Sequence, residues 1–251
     1  MRMRARMAAV LAGAVVATGF TTQAATAAEG ATTPTVEQAA APAQRPTLKL
    51  GSKGDAVRQL QTRLKQLHYD PGTADGRFGT STQMAVWAFQ KVNRLAVNGT
   101  VDAGVWKALD APRQPQPLTK RRESDRVDVD LTRQYLVVYK DGRLRLISHV
   151  SAGSGERFCT TDPKTKKERC RHAVTPTGDY RTQRRIDGWR VAPLGRLYNP
   201  IYFNGGIAFH GAPSVPDHPA SHGCVRLPMH IAEYFPKIVA NGVAVHVRRP
   251  A

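Results

Sequence analysis

The spacing of apolar residues changes period along this chain, and the change falls near residue 122. Between 47 and 110 the period is helical. Val57, Leu60, Leu64 and Leu67 lie three or four apart, behind the turn Gly51-Ser52-Lys53-Gly54-Asp55, which also supplies a helix N-cap. A loop holding Gly72, Gly76 and Gly79 follows. Ser81 or Thr82 is placed to cap a second helix that turns Ala85, Val86 and Phe89 inward. Asn98-Gly99 marks a turn, and Asp102 to Leu109 a third, short helix with Val105, Trp106 and Leu109 apolar. A unit of this size is near the lower limit for a lone hydrophobic core.

From 122 to 251 the pattern predicts strands. Val127 to Leu131 alternates apolar and polar. Gln134–Tyr139 and Arg143–Val150 read as strands around Asp141-Gly142, a favoured hairpin turn. Thr175 to Tyr180 turns into another strand. Ile201 to Phe209 reads as one strand delivering His210, Met229 to Phe235 as a short helix, and Asn241-Gly242 as a turn into a closing strand, Val243 to Val247. The fold class expected is therefore an α+β two-domain chain: a small three-helix module, then a mainly β, β-sandwich-like domain.

The remaining segments are not core. Residues 1–28 have the form of a signal peptide: Arg2, Arg4 and Arg6, an apolar run from Ala8 to Phe20, and the A-x-A site Ala25-Thr26-Ala27. The run is too short to span a bilayer comfortably, so no transmembrane segment is expected after cleavage; an uncleaved anchor is the alternative. Residues 29–46, rich in Ala, Thr, Pro and Gln, read as a disordered tether, and 111–121, with Pro112, Pro115 and Pro117, as a semi-rigid linker that holds the modules apart without setting their angle.

Charge and export together narrow the partners. Lys and Arg number 37 against 19 Asp and Glu, a formal charge of +18. Such a chain is drawn to polyanions, but an exported protein without a basic-aromatic stripe is not expected to bind nucleic acid. Anionic cell-wall polymers are the better match, a merely solvated basic surface the alternative. Cys159 and Cys170 bracket a polar, Lys-rich segment that a disulfide could close, worth about 2–3 kcal/mol. That leaves Cys224 as the free thiol; full reduction of all three is the alternative.

The candidate chemistry lies in residues 210–226, HGAPSVPDHPASHGCVR. A thiol beside glycine and near imidazoles suits acyl transfer, because the thiolate is the nucleophile and a positioned His can generate it. His210 and His222 compete as the base: His210 stands at a strand end, and His222 is two residues from Cys224, on the same face of an extended chain. No acid accompanies the motif, so a backbone carbonyl is expected to orient His210, with Asp217 a loop residue. The N–H groups of Gly223 and Cys224 are the expected oxyanion donors. Ser221 and Arg226 brace the nucleophile loop or meet substrate charge, Arg226 through bidentate contacts to carboxylates or, alternatively, in an ordinary salt bridge.

His210-Gly211 followed by Ser221-His222-Gly223-Cys224-Val225-Arg226 resembles the catalytic signature of the L,D-transpeptidases, the YkuD-like family, over about residues 125–248. The resemblance implies His210 as base, Gly211 and His222 among the pocket residues, and no cofactor. The loop from His210 to Cys224 is shorter than in many members, and Pro213, Pro216 and Pro219 stiffen it. A second pattern runs through the helical module: Gly51-Ser52, Gly54, Val57, Leu60-Gln61 and Leu64, then Asp75-Gly76, Phe78-Gly79, Thr82, Ala85-Val86 and Phe89-Gln90. It resembles the peptidoglycan-binding domain 1 family. Most of these are core and turn residues, so they speak for fold more than for binding.

The resemblance implies attack by Cys224 on the third residue of a peptidoglycan tetrapeptide stem, loss of D-alanine, and transfer to an amine as a 3→3 cross-link. Water as acceptor would make an L,D-carboxypeptidase instead. A zinc site built from His210, His218, His222 and Cys224 is a rival, opposed by Pro219 within the 218–222 spacing. A non-catalytic wall-binding protein is another. A papain-like hydrolase would usually place Cys before His. The helical module, with His68 its single histidine, is expected to bind the wall and raise local substrate concentration, and the catalytic domain to work without it.

Overall fold

The computed structural model describes residues 45–121, 123–161 and 164–250. The expected signal peptide and nearly all of the tether lie outside the described residues. Three helices come first: α1 (Asp55–Gln66), α2 (Thr80–Asn93) and α3 (Ala103–Asp110). Val57, Leu60 and Leu64 are buried on α1 as their spacing requires. The turn at 51–55 supplies the N-cap of α1 as expected, through Gly54, but neither Ser81 nor Thr82 caps α2. Gly54 and Gly79 occupy the first two N-cap positions without a side-chain bond, and only Asp102 caps through its carboxylate, accepting from the Val105 N–H at 2.9 Å. Thr82 lies inside α2. Its buried hydroxyl accepts from Gln61 Nε2 at 3.1 Å, while Gln61 Oε1 accepts from the Gly76 N–H at 2.9 Å. The polar Gln61 and Thr82 of the motif thus tie α1, the glycine loop and α2 together.

Two sheets follow. β1 (Arg126–Asp130), β2 (Tyr135–Lys140), β3 (Arg143–His149), β6 (Gly178–Arg181) and β11 (Ala244–Arg248) form one, in the order β3-β2-β1-β11-β6. β7 (Trp189–Ala192), β8 (Gly195–Asn204), β9 (Ile207–Gly211) and β10 (Val225–Leu227) form the other, in the order β10-β9-β8-β7. β4 (Arg157–Thr161) and β5 (Glu168–His172), which follow β3 in the chain, make a separate hairpin, and α4 (Met229–Ala232) and α5 (Phe235–Ile238) are single turns in place of one expected helix. The shared core runs through Val127, Val129, Leu136, Val138, Ile201, Phe203, Phe209, Val225 and Val245. Asp141 and Gly142 both take positive φ, 52° and 72°, as the β2–β3 turn requires. The segment read as one strand up to His210 is two: β8 ends at Asn204, Gly205-Gly206 reverses the chain, and β9 starts at Ile207. Among the described residues no helix is long and apolar enough to cross a membrane.

The linker does not keep the modules apart. Tyr135, Val137 and Ile147 face away from the sandwich core and join the core of the helices, packing with Tyr69, Phe89 and their neighbours. The Ile147 N–H donates to His68 O at 2.8 Å, and Tyr234 OH donates to Asp70 Oδ2 at 2.7 Å. The reason is the strand's own alternation. With Leu136 and Val138 turned into the sandwich, Tyr135 and Val137 make the outer face apolar, and it needs a cover.

At this seam α2 sends a lysine into the protein. Lys91, 5% exposed, reaches Gln134 O at 3.2 Å, His149 Nδ1 at 2.8 Å and Asp217 O at 3.0 Å. An ammonium has three N–H groups, so these acceptors match the charged form. Burial works against it and pulls the Lys91 pKa down to about 7, with the charges of Asp217 and Asp130 opposing. Between that value and the ordinary 10.5 the unfolded chain holds a proton that the folded chain has lost, so stability gains with rising pH there. Urea midpoints at pH 7, 8 and 9 should show wild type gaining on Lys91→Met, by at most about 1.4 kcal/mol per pH unit. A constant difference would mean an ordinary lysine.

Candidate active site

His210 and Cys224 come to one cavity because β9 and β10 run parallel as neighbours. The register pairs Phe209 with Val225 and His210 with Arg226, which sets Cys224 at the head of β10 beside β9. His210 is buried, and its Nδ1 lies 2.9 Å from Gly211 O. That carbonyl can only accept, so Nδ1 carries the proton and Nε2 keeps the basic lone pair. The orienting group is thus a backbone carbonyl. Burial lowers the His210 pKa, the Gly211 contact raises it, and Arg226 lowers it further. Cys224 is half-buried against Leu197, Tyr202 and Ala208, with Sγ 3.7 Å from Gly206 O. Burial pushes its thiol up, while a hydrogen bond from Ala208 and the charge of Arg226 pull it down. Both shifts favour the neutral forms. The resting pair suits proton transfer during attack better than a standing thiolate–imidazolium pair.

The nucleophile loop is held from beneath. Ser221 Oγ donates to Cys224 O and accepts from the Gly223 N–H at 3.0 Å. The Gly223 N–H, expected to face an oxyanion, is therefore occupied inside the loop. Gly223 takes φ 134°, and a Cβ there would meet Val174 O at 2.9 Å. Thr175, which sequence reasoning passed over, donates from Oγ1 to Gly223 O at 2.6 Å and accepts from the Gly153 N–H at 2.9 Å. Ala152 O accepts from the Ser221 N–H at 2.9 Å. The Thr-Pro-Thr turn was visible in the sequence, but its contact with a loop 48 residues away was not. Gly211 is required by packing, since a Cβ would lie 2.7 Å from Ala232 Cβ on α4.

The loop between His210 and Cys224 is pinned as well. Ser151 Oγ donates to His218 O at 2.8 Å, His149 Nε2 lies 2.9 Å from Pro216 O, and Lys91 holds Asp217 O. The short loop is thus held by Ser151 and His149 of the catalytic domain and by Lys91 of the helical module. His222 is exposed, with its ring edge-on to Phe158 at 4.8 Å, whereas His210 is buried. His218 pairs with Asp217 at the surface, at 2.8 Å. The side chains weighed as zinc ligands are not gathered. Among the described residues the one group close enough to share an ion is Cys159, Glu168 and Cys170, and those cysteines are bonded to each other. Cys159 and Cys170 are direct partners in the β4–β5 register, 4.0 Å apart at Cα. Arg226 is half-exposed beside the thiol, in no ion pair among the described residues, so the salt-bridge alternative finds no partner there. Thiol and imidazole open into a cavity of about 820 Å³ lined also by Ser221, His222 and Gly223.

Such a cavity, with a thiol on a braced loop and a basic imidazole nitrogen on the neighbouring strand, suits acyl transfer. The L,D-transpeptidase catalytic domain (YkuD) family model matches residues 124–247, and the peptidoglycan binding domain model residues 53–109. A crystal structure of an L,D-transpeptidase (its residues 123–326) from Xylanimonas cellulosilytica DSM 15894 is 38% identical, with a TM-score of 0.73. The alignment covers 83% of this chain and 98% of that one. An uncharacterized protein in the bpoA1 3' region of Kitasatospora aureofaciens is 35% identical over 106 residues, which is 42% of this chain and 90% of that protein. The carboxy-terminal processing protease CtpB of Bacillus subtilis (strain 168) is 32% identical over 84 residues, which is 34% of this chain but only 16% of the protease. The chain belongs to the L,D-transpeptidase family of enzymes and carries a peptidoglycan-binding module, which makes peptidoglycan its partner.

Proposed function

We propose that this protein is exported by its N-terminal signal segment and cross-links the cell wall through a thioester on Cys224. The observation that carries the reading is the basic Nε2 of buried His210 on the strand beside Cys224. His210 takes the thiol proton as sulfur attacks the carbonyl at the L-centre of the third stem residue. Sulfur–carbon bond formation and collapse of the tetrahedral adduct expel D-alanine, whose amine leaves with that proton. An amine from a neighbouring stem then attacks the thioester, gives up a proton to His210, and releases the thiol as the 3→3 amide forms. Water in the second step gives the L,D-carboxypeptidase. Ser221 and Thr175 keep the loop in place, and the helical module and basic surface hold the enzyme to the wall and its anionic polymers.

Mass spectrometry of a purified tetrapeptide muropeptide incubated with the protein tests this. Loss of alanine with a cross-linked dimer supports transpeptidation, and loss of alanine with a free tripeptide supports carboxypeptidation. An unchanged muropeptide refutes both. Because burial lowers the His210 pKa, the base stays neutral to lower pH, so the acid limb of kcat/KM should fall below the ordinary imidazole value of 6.5. An acid limb above 6.5 would mean that a different group is the base.

A further inference from the structure

We propose that the cavity beside Cys224 selects peptide stems with free carboxyl groups and discriminates against the same stems capped as carboxamides. The inference rests on the stem substrate proposed above and adds which chemical form of it is accepted. Arg169, Arg171, Arg184, Arg190, Arg196 and Arg226 line the cavity, and among the described residues no Asp or Glu does. They come from separate places: β5 of the disulfide-joined hairpin, the approach to β7, then β7, β8 and β10. A basic composition alone does not account for this. Elsewhere Arg45, Arg121, Arg126, Arg133 and Arg248 pair with aspartates, whereas among the described residues none of the six cavity arginines is in an ion pair.

Three of the six are set in place by aromatic rings. The guanidinium of Arg184 lies 3.7 Å over Tyr202, that of Arg196 4.4 Å over Trp189, and that of Arg171 5.3 Å over Phe158. Stacking occupies the planar face and leaves the N–H edge as a donor fork. Like charges gathered without counter-charge repel, and an anionic ligand relieves that repulsion. A diaminopimelate stem brings carboxylates of the right kind: the α-carboxyl of a γ-linked glutamate, the second carboxyl of the diamino acid, and the terminal carboxyl. A carboxylate takes the fork through two charge-assisted hydrogen bonds. A carboxamide offers one oxygen and turns its NH₂ donors toward other donors.

The test compares D-alanine release from two soluble tetrapeptide muropeptides, one with free glutamate and diaminopimelate side carboxyls and one with both amidated. Wild type should prefer the free acid by at least about tenfold in kcat/KM, the size of one lost charge-assisted contact. Arg184→Gln and Arg196→Gln should lower the rate on the free acid toward that on the amide and leave the amide rate within about twofold. Arg143→Gln, on the exposed start of β3, should leave the ratio unchanged. Alkylation of Cys224 by uncharged iodoacetamide at the wild-type rate shows that each variant keeps its site. Equal rates on the two stems, or a preference for the amide, overturn this inference and leave the proposed reaction standing. Equal slowing of both stems in the arginine variants overturns it too, since that is a structural role. No D-alanine release from either stem by wild type overturns the proposed reaction and this inference together.

Discussion

Replacing Cys224 by alanine should reduce D-alanine release at least about a thousandfold, since Cys224 is the free thiol among the described residues and a thiol is a far better acyl nucleophile than the hydroxyls that line the cavity. The other two sulfurs cannot stand in, because Cys159 and Cys170 are bonded to each other. Stability should hardly change. The thiol is half-buried and small, and the contacts that shape its loop run through Ser221 Oγ, Thr175 Oγ1 and backbone atoms that alanine retains. The same variant separates acylation from binding. A carbapenem should add covalently to the wild-type protein at Cys224 and not to Cys224→Ala, while both still sediment with insoluble peptidoglycan. Activity within tenfold of wild type, or an adduct on the variant, would remove Cys224 from the mechanism.

A chain shortened to begin near residue 122 should fold poorly and process soluble muropeptides far more slowly than the full chain. Tyr135, Val137 and Ile147 are each only 2–3% exposed because the helices cover them. Uncovering three such side chains costs about 1.5–3 kcal/mol each, a large share of the 5–15 kcal/mol that holds a typical domain. The truncation also removes Lys91, and with it one of the ties on the loop between His210 and Cys224. Thermal unfolding should fall by more than about 10 °C, with aggregation on concentration. A soluble truncated domain with full activity on soluble substrate would return the helical module to the role of tether that its linker composition suggests.

Legibility was uneven for physical reasons. Helices α1 to α3 follow from the spacing of Val57, Leu60, Leu64, Ala85, Phe89, Val105 and Leu109, because each buries one face against its sequence neighbours. The β2–β3 turn follows from Asp141-Gly142. Asn204-Gly205-Gly206 carried an equally plain turn signal inside a segment read as one strand, and the apolar run on both sides outweighed it. Thr82 looked like a cap because hydroxyls favour that position, but its contact with Gln61 placed it one turn further in.

The site divides the same way. By itself the sequence determined the local chemistry: a thiol after glycine, an imidazole upstream, a serine able to bond back to its own loop, and two cysteines placed where they can close a short hairpin. These depend on atoms a few residues apart, or on a pattern that admits few other readings. Only the tertiary structure decided that β9 and β10 run parallel and set His210 and Cys224 at one cavity. It also decided that Lys91, an ordinary charged helix residue on paper, is buried under the active-site loop, and that six arginines between residues 169 and 226 line one cavity with no acid beside them among the described residues. Those outcomes depend on which strand face meets which helix. Long-range contacts of that kind are set by the burial of surfaces far apart in the chain, and neither periodicity nor spacing records them.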